Sequence, residues 1–289
     1  MEYYLHIMVI VGIYTILAFG LNLVLGYTGL PMFGHAAFFC VGAYASALLA
    51  LQAEVSPWLG LLAGAALAGA LGMVVALPSL RLKGDYLALA TFGFAVVVHA
   101  VAKNWTWLTR GSRGLPGIPT FSVFGYHLEN RWAYLLLIAV MVLLAHFFMK
   151  RIVTSPFGRV LRGIREDEIA ALAMGKRTGK YKVYVFIVAA AWAGAVGSVY
   201  AHYMSFISPS SFTVMESIVI ILMVVFGGMG SLGGSFVGAL VLIGLSELLR
   251  FIGMPSSVAG PLRQMIYGLV LVVLMIKRPQ GLWGRFAWK

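Results

Sequence analysis

Acidic residues are scarce in this chain of 289: nine Asp and Glu stand against 21 Lys and Arg, and charged residues make up only 10%. A soluble domain carries about 25% charged residues, so most of this surface does not face water. Cys40 is the only cysteine, which excludes an intrachain disulfide and a cysteine-based metal cluster. No Lys or Arg precedes Arg81. The apolar N-terminus therefore lacks the basic n-region of a secretory signal, and Tyr3 to Leu25 reads as a retained first helix. Nowhere is Gly followed by four residues and then Gly-Lys-Ser/Thr, so the chain has no P-loop with which to bind ATP by itself. Any energy source is another subunit or an ion gradient. His99, His146 and His202 stand singly, and no pair has metal-ligand spacing.

What is abundant is apolar. The chain is 61% hydrophobic, with a mean hydropathy of +0.95, and several segments run to the roughly 20 residues that cross a hydrocarbon core of about 30 Å. Nine candidate crossings emerge: Tyr3–Leu25, Ala36–Leu51, Trp58–Leu77, Tyr86–Ala102, Trp132–Met149, Val183–Tyr203, Val214–Met229, Leu232–Leu249 and Pro261–Ile276. The second and seventh are short, as broken or re-entrant transporter helices are. The expected fold is an all-α integral membrane protein: one domain over residues 1–289, a bundle of about eight to ten transmembrane helices with Gly-rich interruptions.

The net charge of +12 invites a nucleic-acid reading, but its distribution points to membrane topology. Lys150 to Lys182 holds nine of the 21 basic residues, which assigns this loop to the cytoplasm. Counting crossings outward places 15 of the 21 inside, together with the C-terminus, and puts the N-terminus outside. The outer loop from Lys103 to Arg131 resists the rule, with Lys103, Arg110, Arg113 and Arg131. Trp105, Trp107, Trp132 and Tyr134 flank that loop, and Trp283 and Trp288 follow the last span, as interfacial aromatic belts do. Gly60, Gly64, Gly69 and Gly72 in the third span and Gly194 and Gly197 in the sixth suit close helix packing.

Within the basic loop, residues 150–182, lies SPFGRVLRGIREDEIAALAMGK. Ser155 before Pro156 is a helix start, and Gly175 before Lys176 and Arg177 a helix stop. Gly158 and Gly163 weaken the middle, leaving two readings open: one continuous rod, or a break near Arg165 with Asp167 capping a second short helix. Val160, Leu161, Ile164, Ile169 and Leu172 supply an apolar stripe among seven charges. The run Glu166-Asp167-Glu168 argues against a helix resting on anionic lipid and for one that docks a protein.

Glu168-Ile169-Ala170-Ala171, with Gly175 four residues later, resembles the EAA loop of ABC importer permeases. The blocks GYTGLPMFGHAAFFCVGAY (Gly26–Tyr44), LRLKGDYLALATFGFA (Leu80–Ala95), LTRGSRGLPGIP (Leu108–Pro119), FISPSSFT (Phe206–Thr213) and VVFGGMGSLGGSFVGA (Val224–Ala239) resemble, in order, the M-type permease of branched-chain amino-acid importers. The urea and short-chain amide permease is a close relative with an overlapping pattern. Phe33 departs from the family, which usually has a small hydroxyl residue there. The resemblance implies a permease in the bacterial inner membrane, paired with a second permease subunit (a heterodimer is favoured), two cytoplasmic ATPase subunits and an extracytoplasmic solute-binding protein. The outer loop with Arg110 and Arg113 is a candidate contact for that binding protein. It also implies no enzyme activity and no cofactor in this chain, ATP and Mg being held by the ATPases. The expected coupling residues are Arg165, Glu166, Asp167, Glu168, Ala170, Ala171 and Gly175.

Polar groups and glycines at membrane depth supply the remaining candidates for a pathway or hinge. Asp85 and Tyr86 open the fourth span, where Asp85 is expected to cap the helix and pair with Lys83 or Arg81. Glu216 lies in the first turn of the seventh, where the helix dipole favours a carboxylate. Glu247 is expected to pair with Arg250. An ion-coupled transporter would use Asp85, Glu216 or Glu247. His35 is expected to satisfy a backbone carbonyl. Gly26, Gly29, Gly34 and Gly42-Ala43 have a loose counterpart in Gly227, Gly230, Gly234 and Gly238-Ala239, which suggests a pseudo-repeat of broken helices around a central path, with Gly228 a further hinge candidate.

Overall fold

A computed structural model describes residues 2–79, 82, 84–123, 126–127, 130–251, 256–278 and 280–284 of the chain. Arg81, Lys83, Arg285, Trp288 and Lys289, and the side chain of Arg250, lie outside that description. Among the described residues twelve α-helices follow one another: α1 (Glu2–Asn22), α2 (His35–Gln52), α3 (Pro57–Ser79), α4 (Asp85–Asn104), α5 (Thr106–Thr109), α6 (Arg131–Thr154), α7 (Pro156–Glu166), α8 (Glu168–Ala173), α9 (Thr178–Met204), α10 (Val214–Gly227), α11 (Leu232–Phe251) and α12 (Ser256–Lys277). Every expected crossing is a helix. Among the described residues six apolar helices, α1 to α4, α6 and α9, are long enough to span a bilayer, and α10 to α12 contribute shorter apolar helices.

Helix α1 does not simply stop. It runs on as a five-residue π-helical turn, Leu23–Tyr27, a wider winding that occurs mostly as single turns at functional sites. The first crossing is thus a helix with a broken end. It is also the bundle's axis, buried along most of its length against α6, α9, α10 and α11.

Helices α2, α3 and α9 form the tightest unit, and glycine is the reason. A Cβ on Gly42 would run into the Gly194 carbonyl. One on Gly194 would lie 2.5 Å from the Gly64 carbonyl oxygen, and one on Gly64 2.8 Å from that of Gly42. Three backbones therefore meet at one point, as expected where lipid offers no hydrophobic drive and contact area must come from close approach. Gly72 sits 2.6 Å from the Ala190 Cβ on the same measure, whereas Gly69 is at ordinary contact distance, 3.4 Å. Only some of the glycines read as packing residues are sterically required.

At the end of the bundle opposite α7 and α8, two short antiparallel pairs order the loops. β1 (Leu115–Pro116) pairs with β4 (Phe206–Ile207), and β2 (Ser122–Val123) with β3 (Tyr126–His127). Beneath them is a buried polar chain. His202 Nδ1 faces the Pro119 carbonyl at 2.6 Å, which can only accept, so Nδ1 carries the proton and Nε2 accepts from Ser46 Oγ at 2.8 Å. Ser198 Oγ in turn donates to Ser46 Oγ at 2.6 Å. Tyr134 joins this layer: it is 3% exposed, donates to the His202 carbonyl at 3.0 Å and accepts from Phe121 N at 3.1 Å. It is therefore a core residue, not the interfacial aromatic its position at a span end suggested. Trp105, Trp107 and Trp132 are exposed as expected.

The three-glycine contact yields a direct test. Gly194→Ala adds a methyl against backbone that has no room to yield, and overpacking of this kind costs about 1–3 kcal/mol. Its melting temperature in detergent is expected to fall by several degrees, whereas Gly93→Ala, which meets nothing within 4 Å, leaves it unchanged. Equal melting of the two variants would show that the close approach is not used.

Candidate functional site

The segment after α6 is built as a rigid helix pair. Ser155 caps α7, its Oγ accepting from Gly158 N at 3.4 Å, and Pro156 occupies the first position. Leu161 and Ile164 are buried and seat α7 on the bundle. At Asp167 the backbone turns extended (φ −155°, ψ 107°), and its carboxylate accepts from Ile169 N at 2.8 Å and Ala170 N at 3.1 Å, opening α8. Of the two sequence readings, the break is the one realised. Helix α8 closes on Gly175 at φ +75°, with Gly175 N donating to the Leu172 carbonyl and Lys176 N to that of Ala171. This is the double contact of a Schellman stop.

Electrostatics then fixes how α8 faces. Lys182, in the second turn of α9, is almost fully buried, and its Nζ lies 2.7 Å from Glu168 Oε1. The same oxygen accepts from Thr178 Oγ1 at 3.1 Å. A buried ammonium without a partner is costly, so Glu168 is turned inward and clips α8 to the foot of α9. Ala171 packs inward beside it. Facing out are Ile169, Leu172 and Met174, at 70%, 51% and 69% exposure, with Ala170 and Gly175. The apolar stripe thus divides: its first half seats α7, and its second half is presented to a partner or to lipid.

The end of α7 touches the broken end of α1. The Arg165 guanidinium donates to the Gly26 carbonyl, and its Cγ would lie 2.9 Å from a Cβ on Gly29, which itself holds φ +74°. Burial pulls the Arg165 guanidinium below its ordinary value, and the neighbouring Glu166 acts the other way. Directly behind, Asn22 is fully buried and ties two breaks together. Its Oδ1 accepts from Gly230 N at 2.9 Å, which fixes the amide's orientation, and its Nδ2 donates to the Ser231 carbonyl at 2.9 Å and to Ser235 Oγ at 2.7 Å. A Cβ on Gly26 would lie 2.6 Å from Gly230 N. The two glycine runs paired by sequence spacing are therefore in contact. Gly228 (φ +118°) and Gly230 (φ +73°) hold backbone conformations that side chains disfavour. Residues 280–284 close over them, with Leu282 N donating to the Phe226 carbonyl and Trp283 N to that of Gly227, both at 2.9 Å.

Other candidates lie apart. Gly34 faces the Thr91 carbonyl of α4, and Phe33 N donates to Thr91 Oγ1 at 3.0 Å, so a hydroxyl does serve this turn, from a different helix. His35 is buried beside Gly20 of α1 with its ring set against the Leu17 backbone, the carbonyl contact expected of it, though short of full hydrogen-bond geometry at either ring nitrogen. Asp85 and Tyr86 are exposed at the start of α4, and the expected partners of Asp85 fall outside the described residues. Glu216 accepts from Tyr14 OH at 2.8 Å, near the far end of α10 from Gly227, about 16 Å away at 1.5 Å per residue. Glu247 accepts from Tyr3 OH. Sequence reasoning missed Asn22, Lys182 and Thr91. The available signal was a polar residue inside an otherwise apolar helix, which in a membrane is a functional suspect.

Two expected outcomes follow. Asn22→Leu strips Gly230 N of its partner, while the Ser231 carbonyl still accepts from Ser235 N at 3.1 Å, and a buried unsatisfied donor costs about 1–3 kcal/mol. The purified protein should melt several degrees lower, and a Ser235→Ala change added to it should cost little more. Glu168→Gln should destabilise by about 2 kcal/mol, less than the 3–5 kcal/mol of a fully buried pair because Glu168 is partly exposed. Adding Lys182→Met should recover most of that loss in thermal unfolding; an additive double variant would show that the two charges are not coupled.

A family described as the branched-chain amino acid transport system permease component matches residues 3–275. The chain is 35% identical to the high-affinity branched-chain amino acid transport system permease protein LivM of Escherichia coli K12, over 93% of this chain and 67% of that protein. It is 26% identical to the probable branched-chain amino acid transport permease protein LivM of Methanocaldococcus jannaschii, over 94% and 90% of the two chains. To the high-affinity permease protein LivH of Escherichia coli K12 it is 24% identical, over 94% and 91%. No solved structure matches. With its apolar helices and its match over nearly the whole length, the chain belongs to the family of branched-chain amino acid transport system permease components, as a multi-pass membrane protein.

Proposed function

We propose that this chain is one of two paired permease subunits of an ATP-driven importer in the bacterial cytoplasmic membrane, and that branched-chain or related amino acids pass through it. Its α7–α8 face and its C-terminus lie in the cytoplasm in this reading, on the strength of the 15-to-6 basic asymmetry. Two ATPase subunits hold ATP and Mg, and a solute-binding protein delivers cargo at the opposite face. There a cavity of about 880 Å³, edged by Lys103, Arg110 and Arg113, suits acidic groups on that protein.

One observation carries the reading. Helix α8 exposes Ile169, Leu172 and Met174, while Arg165, at the adjoining end of α7, holds the broken end of α1. A partner that moves α8 would move α7 with it, because the single residue Asp167 joins the two helices and caps the second. Arg165 passes that displacement to Gly26, and Asn22 passes it to the loop between α10 and α11. A ligand-driven change needs elements with two arrangements, and the π turn and the glycine loop are the segments of this path not locked in regular helix.

Docking and transmission separate experimentally. Ile169→Asp with Met174→Asp is expected to leave the permease pair folded but to lose co-purifying ATPase subunits and to cut ATP-driven uptake at least tenfold. Arg165→Ala is expected to keep the ATPase bound and still lower uptake. If the first variant retains both its ATPase and full uptake, α8 is not the docking helix.

A further inference from the structure

At the foot of α3, α8 and α9 lies a groove of about 650 Å³, within the range of about 300–1,000 Å³ typical of small-molecule sites. Its walls are apolar: Leu77 from α3, Leu172 from α8, and Val183 and Ile187 from α9. At its edge stand Arg177 and Lys180, both exposed and neither in a salt bridge among the described residues. The first turn of the 27-residue α9 borders it too, so the positive end of that helix adds to the two cations.

We propose that this groove binds one anionic phospholipid, an acyl chain lying between α3 and α9 and the phosphate held by Arg177 and Lys180. Position favours lipid: Leu77 is near the last turn of one spanning helix and Val183 in the second turn of another. The groove therefore straddles the boundary between the apolar bundle and its basic loop. Charge favours an anionic headgroup over a zwitterionic one. On the adjoining helix, Glu168 is neutralised by Lys182 at 2.7 Å, and Asp167 is committed to capping the other end of α8. None of Glu166, Asp167 and Glu168, the acidic run that argues against lipid for the α7–α8 surface as a whole, lines this groove. Because Leu172 forms one wall, the bound lipid would brace α8 from beneath and leave Ile169 and Met174 free. The proposal rests on the orientation given above and is independent of the cargo.

The test is lipid titration of the detergent-purified permease pair, read by native mass spectrometry, with phosphatidylglycerol and phosphatidylcholine of identical chains. Phosphatidylglycerol should bind preferentially to one site. A basic residue near an anionic headgroup contributes about fivefold in affinity, so Arg177→Gln with Lys180→Gln should weaken phosphatidylglycerol roughly 25-fold and phosphatidylcholine, whose choline offsets its phosphate, far less. Leu77→Trp, which fills the apolar floor, should weaken both lipids. Glycerophosphoglycerol, the headgroup without chains, should not displace the bound lipid. Equal binding of the two lipids would overturn the proposal, as would a preference that survives loss of both cations or displacement by the chainless headgroup. The readout requires no transport, so a failed importer reading and a failed lipid site remain distinguishable.

Discussion

Backbone groups released from helical pairing inside an apolar bundle must find partners within the protein, and at the broken end of α1 the Asn22 side chain supplies them. With one acceptor and one amino group it satisfies Gly230 N, the Ser231 carbonyl and Ser235 Oγ. Everything nearby is arranged so that this can happen. Gly26 lets the backbones meet, Gly228 and Gly230 provide the turn, and residues 280–284 cover Phe226 and Gly227. The bundle thereby tolerates two irregular segments side by side in its interior.

The helix pair α7–α8 is arranged on the opposite principle. Capping hydroxyl, capping carboxylate, Schellman stop and a near-buried ion pair all remove freedom from it. Leu161, Ile164 and the Glu168–Lys182 pair seat this unit on the bundle, and Arg165 is the residue through which it reaches Gly26 and Gly29. Stiffness on one side of that contact and glycine on the other is the division expected of a lever set on a hinge. The three-glycine contact of α2, α3 and α9 supplies the fixed frame against which such a hinge works.

Much of this was legible before any coordinates. Hydropathy marked nine crossings, and every one is a helix; Ser155, Asp167 and Gly175 marked the ends of α7 and α8 by ordinary capping chemistry. Spacing alone hinted that the runs around Gly26 and Gly230 correspond. It gave no sign that they touch, because the contact joins residues more than 200 positions apart through an amide whose partners are backbone atoms. Tyr134 was misread for a similar reason: a tyrosine at a span end is interfacial by position, and only the neighbouring loop, by reaching over it, makes it core.

Local chemistry therefore determined which segments cross the membrane, which face is basic and where the polar helices begin and end, since each depends on residues within a few turns of one another. Tertiary structure decided the rest. Glu168 reads as a docking charge until Lys182 is seen to claim it, and Ile169, Leu172 and Met174 become the presented surface only once Ala171 and Glu168 have turned inward. Burial and charge pairing depend on which elements come to lie against each other, and no local pattern in the chain encodes that.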